Sequence, residues 1–183
     1  LLKNPKSDVT LLLITFFLTV IFDLTVAIEV GLVIACVLFM KRVMETTEIS
    51  VITDEIDPNK ESDITVHEEN LMIPKGIEVY EINGPYFFGI ATKFEETMTQ
   101  LGDRPKVRII RMRKVPFIDS TGIHNLTALC EMSQKEKTTI ILSGVNKNVH
   151  DVLEKAGFYE LLGKENICPN INVALERAKS LVE

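Results

Sequence analysis

The stretch KVRIIRMRKVPFIDSTGIHNLTALCEMSQKEKTTIILSGV, residues 106–145, decides the fold. Its first ten residues (106–115) have an apolar middle between basic ends and predict a strand. Residues 121–136 bring Ile123, Leu126, Leu129 or Cys130, and Ser133 to one face at helical spacing. Residues 138–145, TTIILSGV, predict a buried strand. Strand, helix and strand in that order predict a βαβ unit of a mostly parallel sheet. At the centre, VPFIDSTGIHNL (115–126) sets an aspartate, two hydroxyls and a glycine just before the helix. Either Asp119 or Ser120 is placed to cap it, Thr121 falls in its first turn, and Gly122 allows a close backbone approach. Asp119 is also placed to bind a cation. A helix N-terminus stabilises added negative charge, so Ser120 has two readings, a cap or a modified residue.

Working outward, GIEVYEI (76–82) alternates like a strand and NGPYFFG (83–89) supplies a turn. ATKFEETMTQL (91–101) predicts a helix with Phe94, Met98 and Leu101 on one face. NKNVHDVLEKAG (146–157) predicts a helix ended by Gly157, and INVALERAKSLV (171–182) a last one. The class is α/β.

The 183 residues suffice for one ordinary domain and an appendage. The first residue is Leu1, which reads as a segment of a longer polypeptide. Cys36, Cys130 and Cys168 show no paired spacing, which fits a reducing compartment. His67, His124 and His150 are equally scattered. Neither metal nor cofactor is expected. The net charge of −6 is uneven: residues 44–70 hold nine acidic groups and only Lys60. That stretch, with TDEIDPNKESD at 53–63, predicts an extended acidic linker repelled by anionic headgroups.

Ahead of it, VTLLLITFFLTVIFDLTVAIEVGLVIACVLFM (9–40) has only Asp23 and Glu29 as ionisable groups. A bilayer core about 30 Å thick takes about 20 helical residues, so the run is long for one span and short for two. Lys3 and Lys6 precede it, Lys41 and Arg42 follow it, and basic flanks mark the cytoplasmic side. Two short tilted helices, 9–22 and 28–43, are expected, with a turn near FDLTVA and a length of roughly 20 Å each. Helices that short call for neighbouring helices. Carboxylates within such segments serve ion or proton movement when they face water or protein. Asp23 has the competing role of capping the second helix; for Glu29, inside that helix, the two readings stay open.

Arg104, Lys106, Arg108, Arg111, Arg113 and Lys114 form a basic run, but strand alternation sends them to both faces and to solvated ends. Gly102 to Pro105 reads as a turn. SGVNKN (143–148) opens a helix without the pattern of a phosphate loop. No nucleophile with a base and no catalytic carboxylate pair is visible, so no enzyme and no catalytic residue is assigned.

Three strings in order, LTVIFDLTVAIEVGLVIACVLFMKR, GIEVYEINGPYFFG and RMRKVPFIDSTGI, resemble the C-terminal end of a sulfate permease (SulP) family anion transporter. In that family the last membrane helices precede a cytoplasmic STAS domain related to anti-sigma-factor antagonists. The resemblance implies a STAS-like sheet with one antiparallel edge and helices largely on one side, after a transmembrane hairpin. It divides the chain into membrane helices (1–43), acidic linker (44–70) and STAS domain (71–183), and puts the substrate-binding helices upstream of Leu1. It implies an integral protein of the inner or plasma membrane whose STAS domain regulates transport or binds partners. The expected partners are the lipid bilayer and the upstream transmembrane domain of the same polypeptide. A homodimer and a cytoplasmic regulatory protein stay open, and nucleic acid is excluded. In the antagonists the serine after the aspartate is phosphorylated, and the matching residue is Ser120. A signalling switch of that type is the alternative function, and a nucleotide-handling enzyme the third reading.

Overall fold

The computed structural model describes residues 6–52, 55–56, 71–87 and 105–182. They divide into two compact units, one up to Thr46 and one from Thr47. The expected helix at 91–101, Arg104, most of the turn before Pro105 and residues 53–54 and 57–70 of the expected linker lie outside the described residues.

The first unit is a pair of helices, α1 (Lys6–Ile21) and α2 (Leu24–Thr46), joined at Phe22 and Asp23. Two small residues of α2 on one face, Ala27 and Gly31, let the helices approach. Ala27 is buried, and a side chain at position 31 would collide with Thr15 of α1. The hydroxyls of Thr15 and Thr19 donate to carbonyls one turn back, which satisfies them inside the helix. Most of the remaining apolar side chains, among them Phe16, Phe17, Val20, Leu32, Val33 and Phe39, face outward. The second helix departs from expectation. It starts at Leu24 and not at 28, because the Asp23 carboxylate accepts a 2.9 Å hydrogen bond from the Val26 amide and caps it at once. With 23 residues it is about 35 Å long. Its stretch Leu24–Val43 is by itself long and apolar enough to cross a membrane, whereas Val9–Ile21 is shorter.

The second unit is built on a five-stranded sheet. Its strands are β1 (Glu48–Ile52), β4 (Ile77–Asn83), β5 (Val107–Lys114), β6 (Thr139–Ser143) and β7 (Ile167–Cys168), in the order β1-β4-β5-β6-β7. A separate two-stranded ladder pairs β2 (Glu55–Ile56) with β3 (Leu71–Met72). Strands β4 to β7 are parallel and β1 is antiparallel to β4, in the register Glu48↔Asn83 to Ile52↔Val79. Here the linker expected over 44–70 needs correcting. Helix α2 reaches Thr46, only Thr47 intervenes, and the next five residues are an edge strand. EISVI alternates, so Ile49 and Val51 join one core and Ile52 the other while Glu48 and Ser50 stay exposed. The acidic count over the whole segment hides that local pattern.

The parallel strands are buried on both faces, as crossover topology demands. Tyr80, Ile82, Ile110, Met112, Ile140 and Leu142 point to one face. It is covered by α3 (Ser120–Lys135), α4 (Lys147–Lys155) and the short α5 (Phe158–Leu162), through Leu126, Leu129, Val149, Leu153 and Phe158. Val79, Val107, Ile109 and Ile141 point to the other, where α6 (Ile171–Val182) lays Ile171, Ala174, Leu175 and Ala178 against them. Each fully buried aliphatic side chain of this kind contributes about 1.5–3 kcal/mol. Three described helices on one face and one on the other match the expected arrangement. The C-terminal ends of the parallel strands and the starts of α3 and α4 meet at one edge, where α/β sheets present their sites.

Candidate functional site: the turn from β5 into α3

Pairing with β6 ends at Arg111 and pairing with β4 at Lys114; the chain then turns, with the Val115 amide bonded to the Met112 carbonyl. Two residues from other loops hold the turn. The Tyr86 amide donates to the Phe117 carbonyl at 3.0 Å, and Tyr86 bridges Ile118 in parallel register. From the other side the Asn146 amide nitrogen donates to the Val115 carbonyl, while the Asn146 side-chain oxygen accepts from the Val149 amide at 3.0 Å. One side chain thus caps α4 and ties it to the turn that starts α3. The helix opening at SGVNKN was expected; the tie was not, although an Asn at a helix start was its one visible signal.

Asp119 is the N-cap of α3. Its backbone is extended, and its carboxylate accepts a 2.7 Å hydrogen bond from the Gly122 amide. Ser120 and Thr121 are the first two residues of the helix and are exposed. Gly122 is buried because the helix start lies on Tyr86: a Cβ there would run into the Tyr86 carbonyl and the Ile118 side chain. The four residues therefore divide into a cap, two outward hydroxyls and a contact point. Beside them Phe117 is 51% exposed and stacks on Phe87 at 6.3 Å. The N-termini of α3 and α4 both present partial positive charge at this edge.

The basic run does not gather here. Arg108 and Arg111 point to opposite faces and, contrary to the expectation of solvated strand ends, are buried. Register explains it: β4 sets Glu78 beside Arg108 and Glu81 beside Arg111. The pairs stand at 3.6 and 3.3 Å, and Lys114 reaches Glu81 at 3.7 Å. Arg108 also donates to Ser133 at 3.2 Å and lies 5.7 Å from the Tyr80 ring centre, while the Tyr80 hydroxyl donates to Glu78 at 2.8 Å. Burial first, and the Glu78 bond second, raise the Tyr80 hydroxyl far above its ordinary value. Lys106 instead holds the end of α6, donating to the Val182 carbonyl at 2.9 Å. Of the two carboxylates in the apolar helices, Asp23 is the cap described above and Glu29 is exposed on α2. Among the described residues no three His, Cys, Asp or Glu side chains converge as metal ligands would.

A parallel sheet with one antiparallel edge, helices mainly on one face and an Asp-Ser-Thr-Gly helix start define a class of domain that known proteins share. The STAS domain family matches residues 70–174, and the chain belongs to that family, in its sulfate transporter (SulP) branch. The crystal structure of a sulfate transporter family protein from Wolinella succinogenes is 44% identical. The match covers 61% of this chain and 92% of that one, with a TM-score of 0.58. A Bacillus subtilis protein named as a sulfate transporter, YvdB, is 27% identical over 167 residues, which are 91% of this chain and 29% of the relative. The chain thus spans under a third of that protein. The murine Solute Carrier 26 family member A9 anion transporter, solved in the inward-facing state, shares the fold over 97% of this chain and 29% of its own, at 19% identity and a TM-score of 0.72.

Proposed function

We propose that this chain is the C-terminal part of a secondary-active inorganic anion transporter of the sulfate type. Residues 1–46 supply its last membrane helices, and the STAS domain from Thr47 lies on the cytoplasmic side. The observation that carries this reading is the order of parts: an apolar helix able to span a bilayer leads directly into a STAS domain within one chain. The Solute Carrier 26 likeness, which extends over both parts, supports it. The reading is non-enzymatic. Solute passes through helices outside this chain, and the STAS domain adjusts that passage or docks a second copy or a cytoplasmic regulator. The test is radiolabelled sulfate uptake by cells expressing the protein that contains this chain. Saturable uptake is expected, and no uptake of sulfate or of any other inorganic anion would overturn the reading.

A second reading, a phosphorylation switch of the antagonist type, has one observation in its favour: Ser120 is exposed at a helix start that favours negative charge. The apolar α2 counts against a free-standing switch and leaves room for the same serine to be modified within a transporter.

A further inference from the structure

At the opposite edge of the sheet, where β6 begins and α3 ends, an open cavity of about 280 Å³ lies between α3, β6 and α5. Ile140, Leu162 and Cys130 give it apolar wall, and Gln134, Lys137, Thr139 and Asn166 give it polar groups. Burial, then Glu131, pushes the Cys130 thiol up to about 12, so that wall stays neutral and unreactive. Asn166 is fixed, donating to the Leu162 carbonyl at 2.8 Å and accepting from Arg177 at 3.2 Å. Gln134 directs its amide N–H toward the Leu161 carbonyl at 3.5 Å and keeps its side-chain oxygen as an acceptor.

A second, independent observation concerns Lys137 on the cavity wall. Among the described residues it is the one non-glycine with positive φ, at 62°. It occupies the left-handed position of a helix-closing motif in which the Lys137 amide bonds Gln134 O at 3.0 Å and the Thr138 amide bonds Ser133 O at 2.8 Å. Glycine takes that conformation without strain; a lysine there is strained. The closure occupies the Met132, Ser133 and Gln134 carbonyls at the end of α3, which removes three acceptors that would otherwise repel an anion. What the lysine adds is an ammonium at the rim of a cavity whose other polar groups are neutral.

We propose that this cavity binds a small hydroxylated carboxylate, its carboxylate on the Lys137 ammonium and its hydroxyl on Gln134 and Thr139. The volume sits just below the roughly 300–1,000 Å³ of small-molecule sites, which suits an organic acid of a few carbons and is too small for a nucleotide. The charged contact is the strong one and sets affinity; the neutral groups select for a donor on the ligand.

The test uses the full chain in detergent micelles with ¹³C-labelled isoleucine methyl groups, the Ile140 signal being assigned through Ile140→Val. Sodium malate is the probe, with sodium acetate and sodium sulfate as comparisons. Malate is expected to shift the Ile140 signal saturably in the millimolar range, with acetate and sulfate weaker. Lys137→Gly and Lys137→Gln should each bind malate about tenfold more weakly or not at all, although the glycine variant unfolds at an equal or higher temperature than the parent. Failure of malate to shift the signal, equal shifts from sulfate or acetate, or unchanged binding in both Lys137 variants would each overturn the proposal.

Discussion

Gly122 of α3 rests against the carbonyl oxygen of Tyr86, so closely that no side chain fits between them. Replacing a helical glycine by alanine ordinarily stabilises by roughly 0.5–1 kcal/mol. Here the sign should reverse. Gly122→Ala must push the helix start off Tyr86 and is expected to cost about 1–3 kcal/mol, read as a lower urea midpoint for the full chain in detergent. An unchanged or raised midpoint would show that the contact is looser than the structure has it.

The cap of α3 is Asp119, which makes different predictions for two neighbouring residues. Asp119→Ala should cost about 0.5–2 kcal/mol and Asp119→Ser much less. Ser120→Ala and Ser120→Asp should both fold normally, since Ser120 is exposed and its neighbour holds the amide. If Ser120 is a switch, sulfate uptake should differ between those two Ser120 variants, and mass spectrometry of protein from its native cell should find phosphate on it. Equal uptake together with unmodified serine leaves Asp119 capping as the whole role of the motif.

The proposed topology, which rests on the basic flanks, has both ends of the helix pair on the cytoplasmic side. Single cysteines introduced at Ser7 and at Thr46, in a Cys36→Ser background, should react with an impermeant maleimide from the same side of sealed vesicles. Labelling from opposite sides would refute the hairpin.

Because β1 belongs to the sheet, a soluble segment starting at Thr47 should be more stable than one starting at Leu71. The shorter segment loses the β1–β4 ladder and uncovers the packing of Ile49, Val51 and Ile52. Amide exchange on β4 is the direct measurement: protection of Val79, Tyr80 and Ile82 should fall in the shorter segment. Identical protection in both would return residues 48–52 to the role of tether.

Alkaline pH should unfold the protein early. Tyr80 is raised well above 10 by burial and the Glu78 bond, and burial holds Tyr159 near 12 and Cys130 near 12. Each such group contributes its full stability below its unfolded value and loses it as pH climbs through its folded one. The urea midpoint should therefore be lower at about pH 11 than at about pH 8, and Tyr80→Phe should flatten the decline. A midpoint that rises with pH in that range has the wrong sign for this account.

How much of this was legible in the sequence varies with distance along the chain. The strand–helix–strand reading of 106–145 needs only local periodicity, and α3, β5 and β6 fall within a residue or two of it. The motif at 119–122 was legible as a cap, but which oxygen caps depends on backbone angles at Asp119 that composition does not encode. The ion pairs of Glu78 with Arg108 and Glu81 with Arg111 were not legible, because they exist only once β4 and β5 lie in register. The start of α2 was misplaced because the turn residues LTVA read as part of the loop until Asp23 is seen capping them. Strand β7 and helix α5 are two and five residues long, below the length at which a period can be told from chance.

The brevity of β7 matters for how crowded copies of this domain behave. An outermost strand with unpaired backbone groups invites another chain to add itself, and longer edges invite it more strongly. On one flank β7 offers only Ile167 and Cys168, and Pro169, which has no amide hydrogen, ends the run immediately. On the other flank β1 is five residues long and carries exposed Glu48 and Ser50, a charge and a hydroxyl on the edge that an added strand would have to accommodate. Sheet-to-sheet fusion is discouraged on both sides by length, proline and charge, which leaves the domain free to be held at high local concentration without aggregating.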